Sequence, residues 1–151
     1  MTRAFSNKNV AASVGVILLM TAVVPPAGAY ALATWRISRT TELANAAAAV
    51  LGTRKENLHS AARGADVVAG PGRLPRAAEH ARGWIRSPVN ARAAFAGQWP
   101  TDAWGRCYLL NMRQLSETGS ALLLSAGPNG EIDTPLNAAA PQGDDIAATI
   151  R

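Results

Sequence analysis

The longest apolar run of the chain comes first. Val10 to Val24 is apolar or small throughout, and the run continues through Pro25-Pro26 to Leu32. No charged residue occurs between Lys8 and Arg36. About 23 helical residues rising 1.5 Å each span roughly 34 Å, enough to cross a bilayer. Arg3 and Lys8 lie on one side and Arg36 and Arg39 on the other, so the positive-inside asymmetry orients the segment only weakly. Beyond it, Ile37, Thr41, Ala44, Ala48 and Leu51 recur at helical spacing, with Leu43, Ala47 and Val50 on an adjoining stripe. Four successive alanines, Ala46–Ala49, are strong helix formers, and the helix is expected to persist to about His59 or Ala62. Gly64, Gly70, Pro71, Gly72 and Pro75 then end any helix.

The pattern shortens after this point. Pro75 suits the first turn of a short helix over Arg76–Ile85, and 87–100 is irregular, with Pro88, Gly97 and Pro100. Two apolar runs, Cys107–Leu110 and Ala121–Leu124, have strand length and flank a polar turn containing Ser116, Glu117 and Gly119. They predict an antiparallel hairpin. From Ser125 to Gly143 the chain reads as loop, punctuated by Pro128, Gly130, Pro135 and Pro141. The expected fold is α+β: one long N-terminal helix covering the apolar face of a small antiparallel sheet, which could not be stable uncovered. The segments are 1–9 (leader-like), 10–35 (transmembrane), 36–63 (periplasmic part of the long helix), 64–100 (variable) and 101–151 (small sheet and acidic loop).

Two fates of the first segment compete. Ala27-Gly28-Ala29 before Tyr30 is a small-x-small cleavage site, preceded by a basic start and an apolar stretch. Cleavage at Ala29–Tyr30 would release a periplasmic or secreted binding module. Retention would instead leave a membrane helix running on into a stalk.

Composition adds the electrostatics. The 151 residues suit one domain plus an extra segment, and charged residues make up 17%, below the roughly 25% of an average soluble domain. The net charge of +5 is uneven: +3 over residues 1–53, +6 over 54–113 and −4 over 114–151. The arginines of the basic middle (Arg63, Arg73, Arg76, Arg82, Arg86, Arg92) are scattered without interleaved aromatics, which favours a solvated face over a nucleic-acid surface. The single cysteine, Cys107, excludes an internal disulfide and reads as a small buried side chain in a strand. An enzyme is not expected. His59 and His80 are the only histidines, Glu79-His80 are adjacent rather than on one helical face, and neither a P-loop nor G-x-S-x-G is present. Trp99 and Trp104 are expected to pack the sheet against the helix.

Several segments resemble the major pseudopilin family of type II secretion systems. Trp99–Tyr108 (WPTDAWGRCY) is similar to its P-x-D-P-W-G-x-x-Y segment, with Ala103 in place of a proline. Leu124–Gly130 (LSAGPNG) resembles S-x-G-x-D-G, Asp144-Asp145-Ile146 resembles the following D-D-I, and Gly72–Pro75 resembles G-x-Y-P. The N-terminal register agrees: Phe5 stands where the family's mature chain opens, and Pro26 lies twenty-one residues later behind two valines. Ala4 replaces the glycine before the cleaved bond, and Asn9 replaces a glutamate whose carboxylate pairs with a neighbouring subunit's amine. That leaves room for a minor, tip-like or diverged subunit. The resemblance implies processing at Ala4–Phe5 and a non-enzymatic role in a homo- or hetero-oligomeric filament that assists protein export. It also implies a single-pass bacterial inner-membrane location with the globular part in the periplasm. The implied partners are other pseudopilins and membrane proteins of the secretion apparatus, with no nucleic acid.

The resemblance also implies calcium. The ion takes six to eight oxygens from carboxylates, amides and carbonyls in a turn-rich loop. Residue by residue, the implied ligands are the Ala126 carbonyl, Asn129, Asp144 and Asp145, with Asn129 replacing an aspartate and so weakening the site. Glu131 and Asp133 lie in the thirteen-residue stretch between Gly130 and Asp144 and could substitute.

Overall fold

Helix α1 occupies Asn7–Gly52 and is continuous across Pro25 and Pro26, which the sequence marks as breakers. The computed structural model describes residues 7–62, 64–86, 88–90 and 99–151, with side chains from Gly28 onward except those of His59, Ala61, Ala62 and Asn90. The Ala4–Phe5 bond, and the side chains of the apolar run up to Ala27, lie outside the described residues. Among the described residues no helix is long and apolar enough to cross a membrane. The chain divides into two units, Met1–Trp35 and Arg36–Arg151. In the first, Tyr30, Leu32 and Trp35 are exposed, and the Ala29–Tyr30 bond lies inside α1.

The second unit has the expected α+β architecture, a helix on a small, mainly antiparallel sheet. The stalk is broken rather than continuous to His59. Gly52 closes α1, Arg54 N–H returns to Leu51 O (3.0 Å), and a separate helix α2 (Lys55–Ala62) follows. Thr53 Oγ1 donates to Val50 O (2.8 Å), using a hydroxyl to terminate the turn. The buried stripe also differs from the expected one. Ala44, Ala47, Ala48 and Leu51 face the core, but Thr40 joins them, and Ile37 and Thr41 face outward. Two hydrogen bonds explain the rotation. Thr40 O accepts from Tyr108 Oη (2.8 Å), and Thr40 Oγ1 accepts from Ala103 N–H (3.1 Å). A long-range anchor therefore sets the helix face where the local pattern was ambiguous.

The sheet has the order β3-β1-β4-β5-β7: β1 is Val67–Ala69, β3 Val89–Asn90, β4 Leu109–Asn111, β5 Ala121–Ser125 and β7 Ile146–Ile150. Among the described residues of this sheet, β1 and β3 pair in parallel and the other neighbours are antiparallel. The predicted hairpin partners do pair, Leu109 with Leu124 and Leu110 with Leu123. Their connection, however, is a helix, α3 (Met112–Thr118), rather than a polar turn. The reason is capping: Asn111 Oδ1 accepts from Gln114 N–H (3.1 Å), and Gly119 ends the helix in the left-handed region at φ 71°. Likewise Arg76-Ala77 is a strand, β2, before a 3-10 helix at Glu79–Trp84. It pairs in parallel with β6 (Glu131–Ile132), inside the stretch expected to be loop.

Both faces of the sheet are covered. Val68, Tyr108, Leu110, Leu123 and Ile150 pack toward α1 together with Trp99. Val67, Leu109, Leu122, Leu124 and Ile132 pack on the other side around Trp84. Successive strand residues alternate between the two cores. Two-sided burial is why Leu122-Leu123-Leu124 is an unbroken apolar run instead of an alternating one. Cys107 is buried, but it precedes β4 and makes an isolated bridge to Thr101. Burial pushes its thiol up to about 11, so it is an inert packing residue.

Candidate functional site

Two loops meet at one end of the sheet, and each is organised by a buried carboxylate. The first is the turn Thr101–Arg106. Asp102 Oδ1 accepts from Trp104 N–H (2.9 Å) and Arg106 N–H (2.8 Å). Its Oδ2 accepts from Arg106 Nε (3.0 Å) and Ser125 Oγ (2.8 Å). Arg106 is itself buried, its guanidinium 5.0 Å from the Trp104 ring centroid, and it donates through Nη2 to Gly127 O. Sequence reasoning passed over this pair, although an acid and an arginine four apart beside a Trp-Gly turn was a usable signal. The two tryptophans also divide differently from expectation. Trp99 is in the core, while Trp104 is half-buried and lies outside both apolar clusters, because its ring faces the Arg106 guanidinium.

The second loop, Ala126–Asp145, carries the four residues implied as calcium ligands. Gly127 adopts φ 48°, and a Cβ there would sit 1.9 Å from Asp144 O, so only glycine lets the two ends of the loop close. Asp145 Oδ2 accepts three hydrogen bonds, from Asp133 N–H (2.9 Å), Thr134 N–H (2.8 Å) and Thr134 Oγ1 (2.6 Å). Asp144 Oδ2 accepts from Asn129 N–H (2.9 Å). The 3-10 helix fastens the outer side: His80 Nε2 donates to Asp133 O (2.7 Å) and Trp84 Nε1 to Thr134 O (2.8 Å). His80 thus has a tethering contact, and the neighbouring Glu79 pairs with Arg82 at 2.7 Å.

The implied ligands fall into two pairs. Asp144 Oδ1 and Asp145 Oδ1 are buried and accept no hydrogen bond among the described residues. Two inward carboxylate oxygens left unsatisfied fit the chemistry of a hard cation. Burial, the largest influence, also raises the Asp145 carboxyl above the ordinary carboxylate value, against the donors from Thr134 and Asp133. The other two implied ligands are turned to hydrogen bonds. Ala126 O accepts from Gly130 N–H (3.1 Å), and Asn129 Oδ1 accepts from Glu131 N–H (2.6 Å) while its Nδ2 donates to Asp133 Oδ2 (3.2 Å). Among the described residues, no three His, Cys, Asp or Glu side chains gather closely enough to hold a metal ion. Thr134, which belongs to no recognisable motif, is what fixes Asp145.

No family model, no curated protein and no solved structure matches the chain. Function therefore has to be argued from the residues themselves.

Proposed function

We propose that the chain is a pseudopilin-like structural subunit of a type II secretion filament, related to type IV pili, which assists protein export without catalysing a reaction. In this reading residues 10–35 anchor it in the bacterial inner membrane, the unit from Arg36 onward lies in the periplasm, and other pseudopilins are its neighbours. The observation that carries the proposal is the helix surface at the end of the apolar run. Tyr30 is 76% exposed, Trp35 58%, Leu32 48% and Ile37 40%. Four large apolar side chains exposed within eight helical residues are costly in water. Interfacial lipid suits the tyrosine and tryptophan, and neighbouring helices suit the whole set. The α+β architecture, with the helix from Arg36 onward packed on a small, mainly antiparallel sheet, is compatible with the same reading.

A calcium ion in the acidic loop belongs to this proposal. Asp144 and Asp145 would hold it through their free Oδ1 atoms, completed by carbonyls and water, and it would supply the positive charge that this loop lacks.

N-terminal sequencing of the mature protein from the envelope fraction, with alkaline extraction of the membranes, tests the assignment. A chain that starts at Phe5 or Met1 and stays in the membrane supports it. A chain starting at Tyr30 overturns it in favour of a released binding module.

A further inference from the structure

A groove of about 670 Å³ opens beside the Asp102–Arg106 turn, and its walls carry four arginines: Arg36, Arg73, Arg76 and Arg106. Two carboxylates stand against them. Asp102 neutralises Arg106 inside the protein, and Glu131 reaches Arg76 across 3.8 Å as an exposed pair. Among the described residues Arg36 and Arg73 are in no ion pair, so no direct partner neutralises them, while the nearby Asp144 carboxylate is taken up by Asn129 N–H (2.9 Å).

The frame beneath these side chains is fixed by backbone hydrogen bonds. Arg73 N–H donates to Gly105 O (3.2 Å), Cys107 N–H to Arg73 O (3.0 Å) and Arg76 N–H to Gly130 O (3.1 Å). Gly72, at φ 119°, brings this strand so close that a Cβ would sit 2.8 Å from Cys107 N. Arg73 and Arg76 therefore project from a rigid rim, and Trp104, half-buried, lines the same groove. Planar guanidiniums bind phosphoryl oxygens in a bidentate manner, and several converging on one groove define an oxyanion site.

The sequence supplies the source of the oxyanion. Arg36 directly follows Trp35 and is the first charge after the apolar run that began beyond Lys8. Arginine and tryptophan together at the end of an apolar segment mark the headgroup layer of a membrane. We propose that this groove binds the phosphoryl group of an anionic phospholipid headgroup, with Arg36, Arg73 and Arg76 as ligands and Trp104 as the flanking aromatic. The inference rests on the membrane-anchored reading of the chain and adds a lipid preference to it.

The test uses the full chain in micelles of an uncharged detergent, titrated with short-chain phosphatidylglycerol, short-chain phosphatidylcholine or inorganic phosphate while the melting temperature is followed. A ligand that binds only the folded state raises that temperature in a saturable manner. The expected result is a rise with phosphatidylglycerol and none with the other two. Arg73→Ala with Arg76→Ala should weaken the response about 5-fold per arginine removed, or roughly 25-fold together. Both side chains are exposed, so the lipid-free melting temperature should hold. Arg73→Lys with Arg76→Lys keeps the charge but loses the bidentate fork, so its response should lie between those of the wild type and the alanine variant.

Equal responses to the two lipids overturn the proposal, as does an unchanged response in the alanine variant. Inorganic phosphate acting at the same concentrations would show a site for the free oxyanion and overturn the headgroup assignment. Loss of concentration-dependent self-association in the alanine variant, without any lipid response, would show that the groove holds the acidic loop of a second copy. All these outcomes are read with the apolar segment intact. They are therefore separate from the finding of a mature chain that starts at Tyr30, which fails the anchored reading instead.

Discussion

Asp102 and Asp145 stand at the feet of adjoining loops, and each gathers backbone N–H groups, yet only Asp102 has a cation beside it. The Asp102 carboxylate uses both oxygens, on two N–H groups, the Ser125 hydroxyl and the Arg106 guanidinium. Asp145 places three donors on Oδ2 and leaves Oδ1 buried with none. Burial of charge is tolerated when it is paired and hydrogen-bonded, and costly otherwise. The Asp102 turn is thus electrostatically closed, and the Asp145 loop is open to a further positive charge. Four measurements test this contrast.

The largest effect is expected from Asp102→Ala. It strands Arg106, whose side chain is 6% exposed, and frees two N–H groups and a hydroxyl. Losing one partner of a buried pair costs about 3–5 kcal/mol. Urea unfolding of the full chain in uncharged detergent measures it. A loss below about 1 kcal/mol would mean that the turn is not held by this pair.

Calcium comes next. At a concentration 100 times its dissociation constant, an ion that binds only the folded state adds about 2.7 kcal/mol. The melting temperature should rise with calcium relative to chelator, less in Asp144→Ala and more in Asn129→Asp, which adds a charged ligand. Identical melting curves at millimolar calcium would leave the loop held by hydrogen bonds alone.

Trp104→Ala should cost about 1 kcal/mol, the size of a partly exposed cation–π contact with Arg106. A truncated core tryptophan costs about 3–5 kcal/mol, and a loss in that range would place Trp104 in the core beside Trp99.

The smallest effect is a slope with pH. Burial raises the folded-state value of Asp145 above its unfolded one. Between those two values the folded protein binds more protons, so through this group stability rises as pH falls. Without calcium, the wild type should therefore gain on Asp145→Asn on acidification from neutral pH. Bound calcium favours the charged form, lowers the folded-state value and reverses the sign. A difference that stays flat with pH under both conditions would mean that Asp145 is solvated.

Much of this architecture was legible in local pattern. The alanine-rich helix and the two leucine runs that pair as β4 and β5 follow from periodicity and propensity, whereas the glycine- and proline-punctuated stretches expected to be irregular contain β1, β3 and β6. Other features were hidden because their causes are distant in sequence. The edge strand β7 exists because Ile146–Ile150 finds β5, and β6 exists because Arg76-Ala77 lies beside Glu131-Ile132. Short segments of that kind have no pattern strong enough to announce themselves.

The candidate site divides in the same way. Local pattern alone puts Asp144 and Asp145 in a turn-rich acidic loop, since like charges and loop-forming residues are local properties. Which oxygens remain free depends on partners brought in by the fold. Thr134 and Asp133 come back to take Asp145 Oδ2, and the Asn129 amide is spent on its own loop. The fold likewise turns α1 to bury Thr40, by bringing Tyr108 and Ala103 to it from more than sixty residues away. Hydrogen-bond partners at that separation are set by the packing of whole elements, and no local pattern encodes them.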